Sequence, residues 1–471
     1  MTTIRHPAAL LGANLLRADE ATPIYAAGDG ALVAWQEAAT PGHIDAAVAA
    51  ARAALPAWRD TSPAQRGTML RAVASGVHEH REALAGLQQH ISGKLAAEAE
   101  ADVADVVACF NFYARMCEQG EAFDAELLDV GDPGVVAQRR HEPVGVAALV
   151  VPWNFPMVTT AWKLAPALAA GCTVVLKPSE LTSPAELALL DLVAHAGVPA
   201  GVVNCVNGGA AVGAALVAHP GVNKISFTGS TAAGRQVGRV AAEQCKRVTL
   251  ELGGKSSLIV RDDADLDLAV SLALSGAFTN AGQMCSATAR ILVDQRVHQP
   301  FLTALGDAVE VLTIGPLISS LHRSRVQALV SQGLEAGANV LRSGRLAGRA
   351  GDGYFMAPLL LACGPDNPLW RDEIFGPVAC VRTFDSDAEA LAAANDTPYG
   401  LVATVVTRSE AAAARYERDL RAGLVWVNTP QLIFPQVSWG GLGASGLGRE
   451  LGLAGLRAYQ ELRHAVGVRR A

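Results

Sequence analysis

Aromatic side chains make up only 5% of this 471-residue chain, and charged ones only 18%. The low charge and the 46 glycines exclude a disordered polymer, a collagen-like rod and a coiled coil. Lys/Arg-rich runs are missing and the net charge is −7, which argues against a nucleic-acid partner. No apolar run reaches the ~18–20 residues of a membrane helix. Residues 146–151 are cut by Pro152, and 159–170 by Lys163 and Pro166. Residues 8–16 imitate a leader peptide after Arg5, but the stretch is short, holds Gly12 and Asn14, and runs into Arg17-Ala18-Asp19-Glu20. The eight cysteines are scattered, with no CxxC and no histidine cluster beside them. Neither a disulfide framework nor a metal site is therefore expected. The expectation is a cytoplasmic protein with no membrane partner.

With so few rings, the core must be built from Ala, Val and Leu. Abundant Ala and Gly favour helices packed closely on a parallel sheet. At ~100–200 residues per domain, the length allows two to four domains. Residues 41 to 120 have apolar positions at helical spacing, and 125–142 turn extended and polar. Short apolar runs then alternate with helices. Strands are predicted at 145–151, 172–176, 202–206 and 224–227, and helices at 159–168, 183–195, 213–219 and 232–243. Such alternation means right-handed crossovers and a doubly wound sheet, with ligands beyond the C-terminal strand ends. A second α/β block follows residue 250, with strands near 257–260, 290–293, 378–384, 402–407 and 424–427. Residues 344–353 read as a surface loop.

Four local patterns carry chemistry. Phe227-Thr228-Gly229-Ser230 ends a strand and opens a helix, where free N–H groups suit a phosphate, although a plain tight turn fits equally. Gly282-Gln283-Met284-Cys285 places a thiol after a turn, either structural or nucleophilic. Glu251-Leu252-Gly253-Gly254-Lys255 places a carboxylate beside two glycines, able to activate water. Pro152-Trp153-Asn154-Phe155-Pro156 follows a strand, and the Asn154 amide suits a developing oxyanion. Two look-alikes fail. Gly253-Gly254-Lys255-Ser256 lacks the earlier P-loop glycine, and Gly441, Gly443 and Gly446 form a GxGxxG that no strand feeds.

In this order, together with Leu176-Lys177-Pro178-Ser179-Glu180, Glu373-Ile374-Phe375-Gly376-Pro377-Val378 and Asn395-Asp396-Thr397-Pro398-Tyr399-Gly400-Leu401, these motifs resemble the NAD(P)-dependent aldehyde dehydrogenase superfamily from about residue 20 to 465. The resemblance implies two doubly wound parallel-sheet domains with a small bridging β element. Residues 1–124 and 143–254 would bind NAD, 255–456 would form the catalytic domain, and 125–142 with 457–471 would mediate a homodimer or homotetramer. It also implies that Cys285 attacks a small-molecule aldehyde, Asn154 and the Cys285 N–H hold the oxyanion, and Glu251 activates water. Trp153, Lys177, Glu180, Gly229, Ser230, Glu373 and Phe375 would bind the cofactor. A carboxylate at Glu180 would repel a 2′-phosphate, favouring NAD over NADP.

Within the superfamily, His141-Glu142-Pro143-Val144-Gly145, Ala161-Trp162-Lys163, Cys285-Ser286-Ala287-Thr288-Ala289-Arg290 and Trp439-Gly440-Gly441 look most like betaine-aldehyde and ω-aminoaldehyde dehydrogenases. That likeness implies a cationic substrate held by the faces of Phe155, Trp162 and Trp439 and by the acids Asp102 and Asp105. Mere packing aromatics on a solvated acidic helix is the plainer alternative. The chain departs from the subgroup at Thr279, where plant members carry tryptophan, at Phe155, a frequent tyrosine, and before Gly315, where the usual segment is shortened. The same chemistry on a semialdehyde, aliphatic or aromatic aldehyde is the nearest alternative. An acylating enzyme, a thiol esterase and a non-enzymatic binding protein are weaker rivals, because Glu251, the cofactor motifs and Cys285 are all present.

Overall fold

A computed structural model describes residues 4–12, 14–347 and 352–468. Residues 348–351 of the expected loop and the last three of the chain lie outside the described residues. The predicted helices at 41–120 form Pro41–Asp60, Pro63–Glu79, Arg81–Ser92 and Ala96–Gln119. Thr40 and Ser62 cap the first two with their hydroxyls, each followed by a proline that suits the first helical turn.

Five parallel strands make the centre of the first sheet, in the order Arg247–Glu251, Lys224–Thr228, Val146–Val150, Thr173–Lys177 and Val203–Val206. Val146–Val150 and Thr173–Lys177 are buried along their whole length because helices cover both faces, which is why the first and the centre of the second read as apolar runs. Strand order reverses between Val146–Val150 and Lys224–Thr228, so a crevice opens beyond their C-terminal ends. The motifs at 152–156 and 227–230 sit at that crevice. Antiparallel edges close the sheet to eight strands: Ala9–Leu11 and Asn14–Leu16 on one side, Gly446–Leu447 on the other. The leader-like stretch is thus an edge hairpin, and the GxGxxG loop reaches the sheet only through its last glycine.

The second sheet has seven strands in the order Asn339–Ser343, Leu359–Ala362, Val378–Phe384, Arg290–Asp294, Ser257–Val260, Val402–Val406 and Leu424–Val427. All but the first are parallel to their neighbours. Two small sheets complete the molecule. Ile4–His6, Leu32–Glu37 and Ala21–Tyr25 form one, while Gln460–Val468, Val135–Pro143 and Glu126–Leu128 form the other. The α/β class with two doubly wound sheets and a small β element is the observed one.

Candidate active site

A cavity of about 1020 Å³ runs between the two large sheets. Trp153, Asn154, Phe155, Gly229, Ser230, Cys285, Glu373, Phe375, Asp102, Asp105, Trp162 and Trp439 all contribute to its wall. Lys177 and Glu180 lie outside this lining, next to it at the end of Thr173–Lys177, where Lys177 Nζ meets Glu180 Oε2 at 3.3 Å. Glu251 is buried behind the wall, 4% exposed.

Cys285 follows an unusual turn. Asn280, Ala281 and Gly282 take left-handed backbone angles in succession, with φ of 50°, 54° and 72°. Two of the three carry a Cβ, so the surroundings must enforce the conformation. They do so with hydrogen bonds from distant segments. The Asn280 N–H donates to Glu98 Oε1 at 2.6 Å, and its side-chain amide donates to the Asn154 carbonyl at 3.1 Å. The Ile318 N–H donates to Gln283 Oε1 at 2.9 Å. Asn154 Nδ2 in turn donates to the Gln283 carbonyl at 3.0 Å. One amide N–H of Asn154 is thereby engaged and the other remains for a ligand. Burial pushes the Cys285 thiol up to about 12, and the negative charges of Glu251 and Glu373 push the same way.

Glu251 ends the strand Arg247–Glu251, and neither of its carboxylate oxygens has a hydrogen-bond partner. Burial holds its carboxyl well above the usual range, Glu450 adds to that, and Lys163 and Arg449 oppose it. The two glycines that follow are needed for close approach. A Cβ on Gly254 would lie 2.4 Å from the Cys285 carbonyl oxygen, and one on Gly253 would lie 2.2 Å from Glu373 Oε2. Gly254→Ala should therefore shift the nucleophile and cut kcat/KM by about a hundredfold, the scale of a ~1 Å misplacement. Steady-state kinetics on the folded variant will check this, and unchanged turnover would refute the packing argument.

The other expected cofactor residues border the same cavity. Ser230 caps the helix Thr231–Glu243, accepting from the Ala233 N–H at 3.3 Å, and leaves its side chain exposed. Glu373 accepts from the Gly254 N–H at 3.0 Å, and burial raises its carboxyl pKa. Phe375 is left-handed at φ 57° and stands edge-on to Trp153, with ring centres 5.4 Å apart. His322 completes the ring cluster 5.2 Å from Trp153, its Nε2 bonded to the Phe375 carbonyl at 2.7 Å.

Trp162 and Trp439 line the far end, ring centres 5.5 Å apart, with Trp426 beyond Trp439 at 6.2 Å. The Trp162 indole N–H donates to Asp105 Oδ1 at 3.3 Å. Asp102 forms a buried ion pair with Lys94, whose Nζ lies 3.9 Å from the centre of the Phe155 ring.

Residues 17–465 match the model of the Aldehyde dehydrogenase family. The chain belongs to that family. It is 40% identical to aminoaldehyde dehydrogenase 2, peroxisomal, of Pisum sativum over 90% of this chain and 87% of that one. It is also 40% identical to betaine aldehyde dehydrogenase, chloroplastic, of Beta vulgaris, over 89% and 87%. Among solved structures, the NAD+ complex of an aldehyde dehydrogenase from Bacillus cereus superposes with a TM-score of 0.95 at 35% identity, covering 99% of this chain and 97% of that one.

In this aldehyde dehydrogenase several site neighbours escaped the sequence motifs. Glu98 shares the helical spacing of Asp102 and Asp105, a signal that would have found it. Asn280, His322 and Trp426 carry no local signal. Lys163 and Glu450 form a buried ion pair, joined by Thr228, whose hydroxyl accepts from Lys163 at 2.7 Å, and by Ser226, which donates to Glu450 at 3.1 Å. No described helix is long and apolar enough to cross a membrane.

Proposed function

We propose that this chain oxidises an aldehyde to its carboxylic acid with NAD, through covalent intermediates on Cys285. The observation that carries the reading is the meeting at one cavity wall of the Cys285 thiol and the uncommitted N–H of Asn154, with Glu251, which has no hydrogen-bond partner, buried directly behind that wall. Cys285 gives up its thiol proton to solvent, the thiolate sulfur adds to the carbonyl carbon as the C=O π pair moves onto oxygen, and the oxyanion receives the Asn154 amide and the Cys285 backbone N–H. Oxidation of that adduct leaves a thioester on the sulfur. The two-electron acceptor for this step is the chemistry NAD supplies when bound. Glu251 then takes a proton from water as the oxygen attacks the thioester, and Cys285 leaves as the thiol.

The residues present fit the cofactor. Gly253 lacks the Cβ that would fill the space beside Glu373, and Ser230 presents an exposed helix N-terminus. Lys177 and Glu180 would hold the adenosine ribose, Gly229 and Ser230 the pyrophosphate, and Glu373, Phe375 and Trp153 the nicotinamide half. The half-exposed carboxylate of Glu180 disfavours a 2′-phosphate, so NAD is favoured over NADP.

The substrate is an aminoaldehyde or betaine aldehyde. Tryptophan faces and a carboxylate at the far end support a cationic tail, as do the names of the two plant relatives. Residues 1–124 and 143–254 form the cofactor domain and 255–456 the catalytic domain, although Gly446–Leu447 returns to the first sheet. Residues 125–142 and 457–471 assemble a homodimer or homotetramer, since Gln460–Val468 exposes Leu462, Val466 and Val468. The eight free thiols support a reducing, cytoplasmic setting.

A panel of betaine, aminopropion-, aminobutyr-, succinic-semi- and aliphatic aldehydes with each cofactor tests the reading. Amino compounds with NAD should give the highest kcat/KM. A clear win for semialdehydes or aliphatic aldehydes would overturn the substrate, and a win for NADP the cofactor preference.

A further inference from the structure

The helix Ala96–Gln119 turns three carboxylates toward the cavity: Glu98, Asp102 and Asp105, at the i, i+4, i+7 positions of one face. The protein itself satisfies two of them. Glu98 accepts the Asn280 N–H at 2.6 Å and the Leu95 N–H at 3.0 Å. Asp102 is bound by Lys94, a side chain with no exposed surface that lies behind the cavity wall. Asp105 receives only the indole N–H of Trp162. Lys94 also lies against the Phe155 ring, so a second cation brought to that ring meets positive charge already in place. The aromatic faces that remain are those of Trp162 and Trp439.

We propose that Lys94, without touching substrate, sets the charge selectivity of the tunnel. By cancelling Asp102 and covering Phe155, it leaves Asp105 as the carboxylate of this helix face with neither a cationic nor a backbone partner, matched to an aldehyde tail with a single positive charge. The cation then sits between Asp105 and the Trp162–Trp439 pair rather than on Phe155. Two uncompensated acids would instead favour a dicationic tail. This inference rests on the cationic-substrate reading above.

Asp105 also makes the selectivity depend on pH. Burial pushes its carboxyl up to about 7, Asp102 adds to that, and the Trp162 N–H opposes it. Cys109, one turn further along the same helix, is held protonated by burial and adds no charge. Below pH 7 Asp105 is protonated and neutral, so its hold on a cation is present above that pH and lost as pH falls.

The test compares betaine aldehyde with 3,3-dimethylbutanal, its uncharged isostere, in the full-length enzyme. The readout is the ratio of their kcat/KM values between about pH 6 and 8. In the wild type the ratio should favour the cation and rise with pH. Asp102→Asn leaves Lys94 uncompensated and should lower the ratio about tenfold while keeping its rise with pH. Adding Lys94→Met to Asp102→Asn should restore the ratio to within about threefold of wild type. Asp105→Asn should give a low ratio that no longer changes with pH. Melting curves establish that each variant is folded. If the double variant does not fold, the contrast between Asp102→Asn and Asp105→Asn decides.

A ratio unchanged in Asp102→Asn, or a folded double variant as poor as Asp102→Asn alone, overturns the role of Lys94. A pH dependence lost in Asp102→Asn and kept in Asp105→Asn makes Asp102 the counter-ion and overturns it as well. A wild type that does not distinguish the isosteres defeats the cationic-substrate reading itself, and this proposal with it.

Discussion

Cys285→Ala will abolish NADH production, with kcat falling by at least roughly ten-thousandfold, the scale on which loss of a nucleophile operates. The other groups around the carbonyl cannot substitute. Asn154 is an amide committed on one N–H to the Gln283 carbonyl, and Glu251 is a buried carboxyl, a far weaker nucleophile toward a carbonyl than a thiolate. The change removes one sulfur atom from a half-buried position, so the fold should persist and a loss of rate will report chemistry. Absorbance at the reduced-cofactor band with a saturating aldehyde is the measurement, and substantial residual turnover would remove Cys285 from the mechanism. Because burial and two carboxylates raise its thiol to about 12, thiolate is scarce at neutral pH. The rate of acyl-enzyme formation should therefore climb as pH rises.

Glu251→Gln separates the two halves of the reaction. The acylation half needs the thiol and the oxyanion donors, whereas hydrolysis of the thioester needs a base for water. The expected result is a burst of about one NADH per site followed by turnover slowed ~100- to 10,000-fold, the range of a lost general base. Rapid mixing resolves the burst, and equal slowing of both phases would count against Glu251 as the deacylation base. Neither oxygen of Glu251 has a partner to lose, so the amide should leave stability intact or improved. The carboxyl pKa is raised, so the base form accumulates only as pH increases. Wild-type deacylation should accelerate with pH, and that slope should vanish in the variant.

How much of this was legible in the sequence follows from the range of the interactions involved. The run 146–150 was readable because burial on both faces demands unbroken apolar residues, and 224–228 because it recurs in the same strand–helix alternation; the crevice follows from their topology. Cys285, Glu251 and Asn154 stood out because each sits beside glycine or proline at a strand end or turn. The edge hairpin at 9–16 was opaque because its pairing is set by Val203–Val206, nearly two hundred residues away. Asn280 and His322 were invisible for a similar reason. Their roles consist of bonds to Glu98, Asn154 and Phe375, which no local pattern encodes. Lys94 belongs to none of the motifs, because nothing in its sequence neighbourhood announces that its charge ends up buried against Phe155.

The left-handed turn before Cys285 has a consequence for the order in which the enzyme assembles. Asn280 is held by Glu98 and Asn154, contacts that span 182 and 126 residues of chain. Each closes a long loop, so its entropy must be met by tertiary packing before the turn can hold. Helices and individual strands need no such closure. A molecule that has its secondary structure but has not yet docked the helix Ala96–Gln119 and the loop at 152–156 against Asn280 carries only an ordinary cysteine at position 285. The nucleophile is defined last, when the whole molecule is in place.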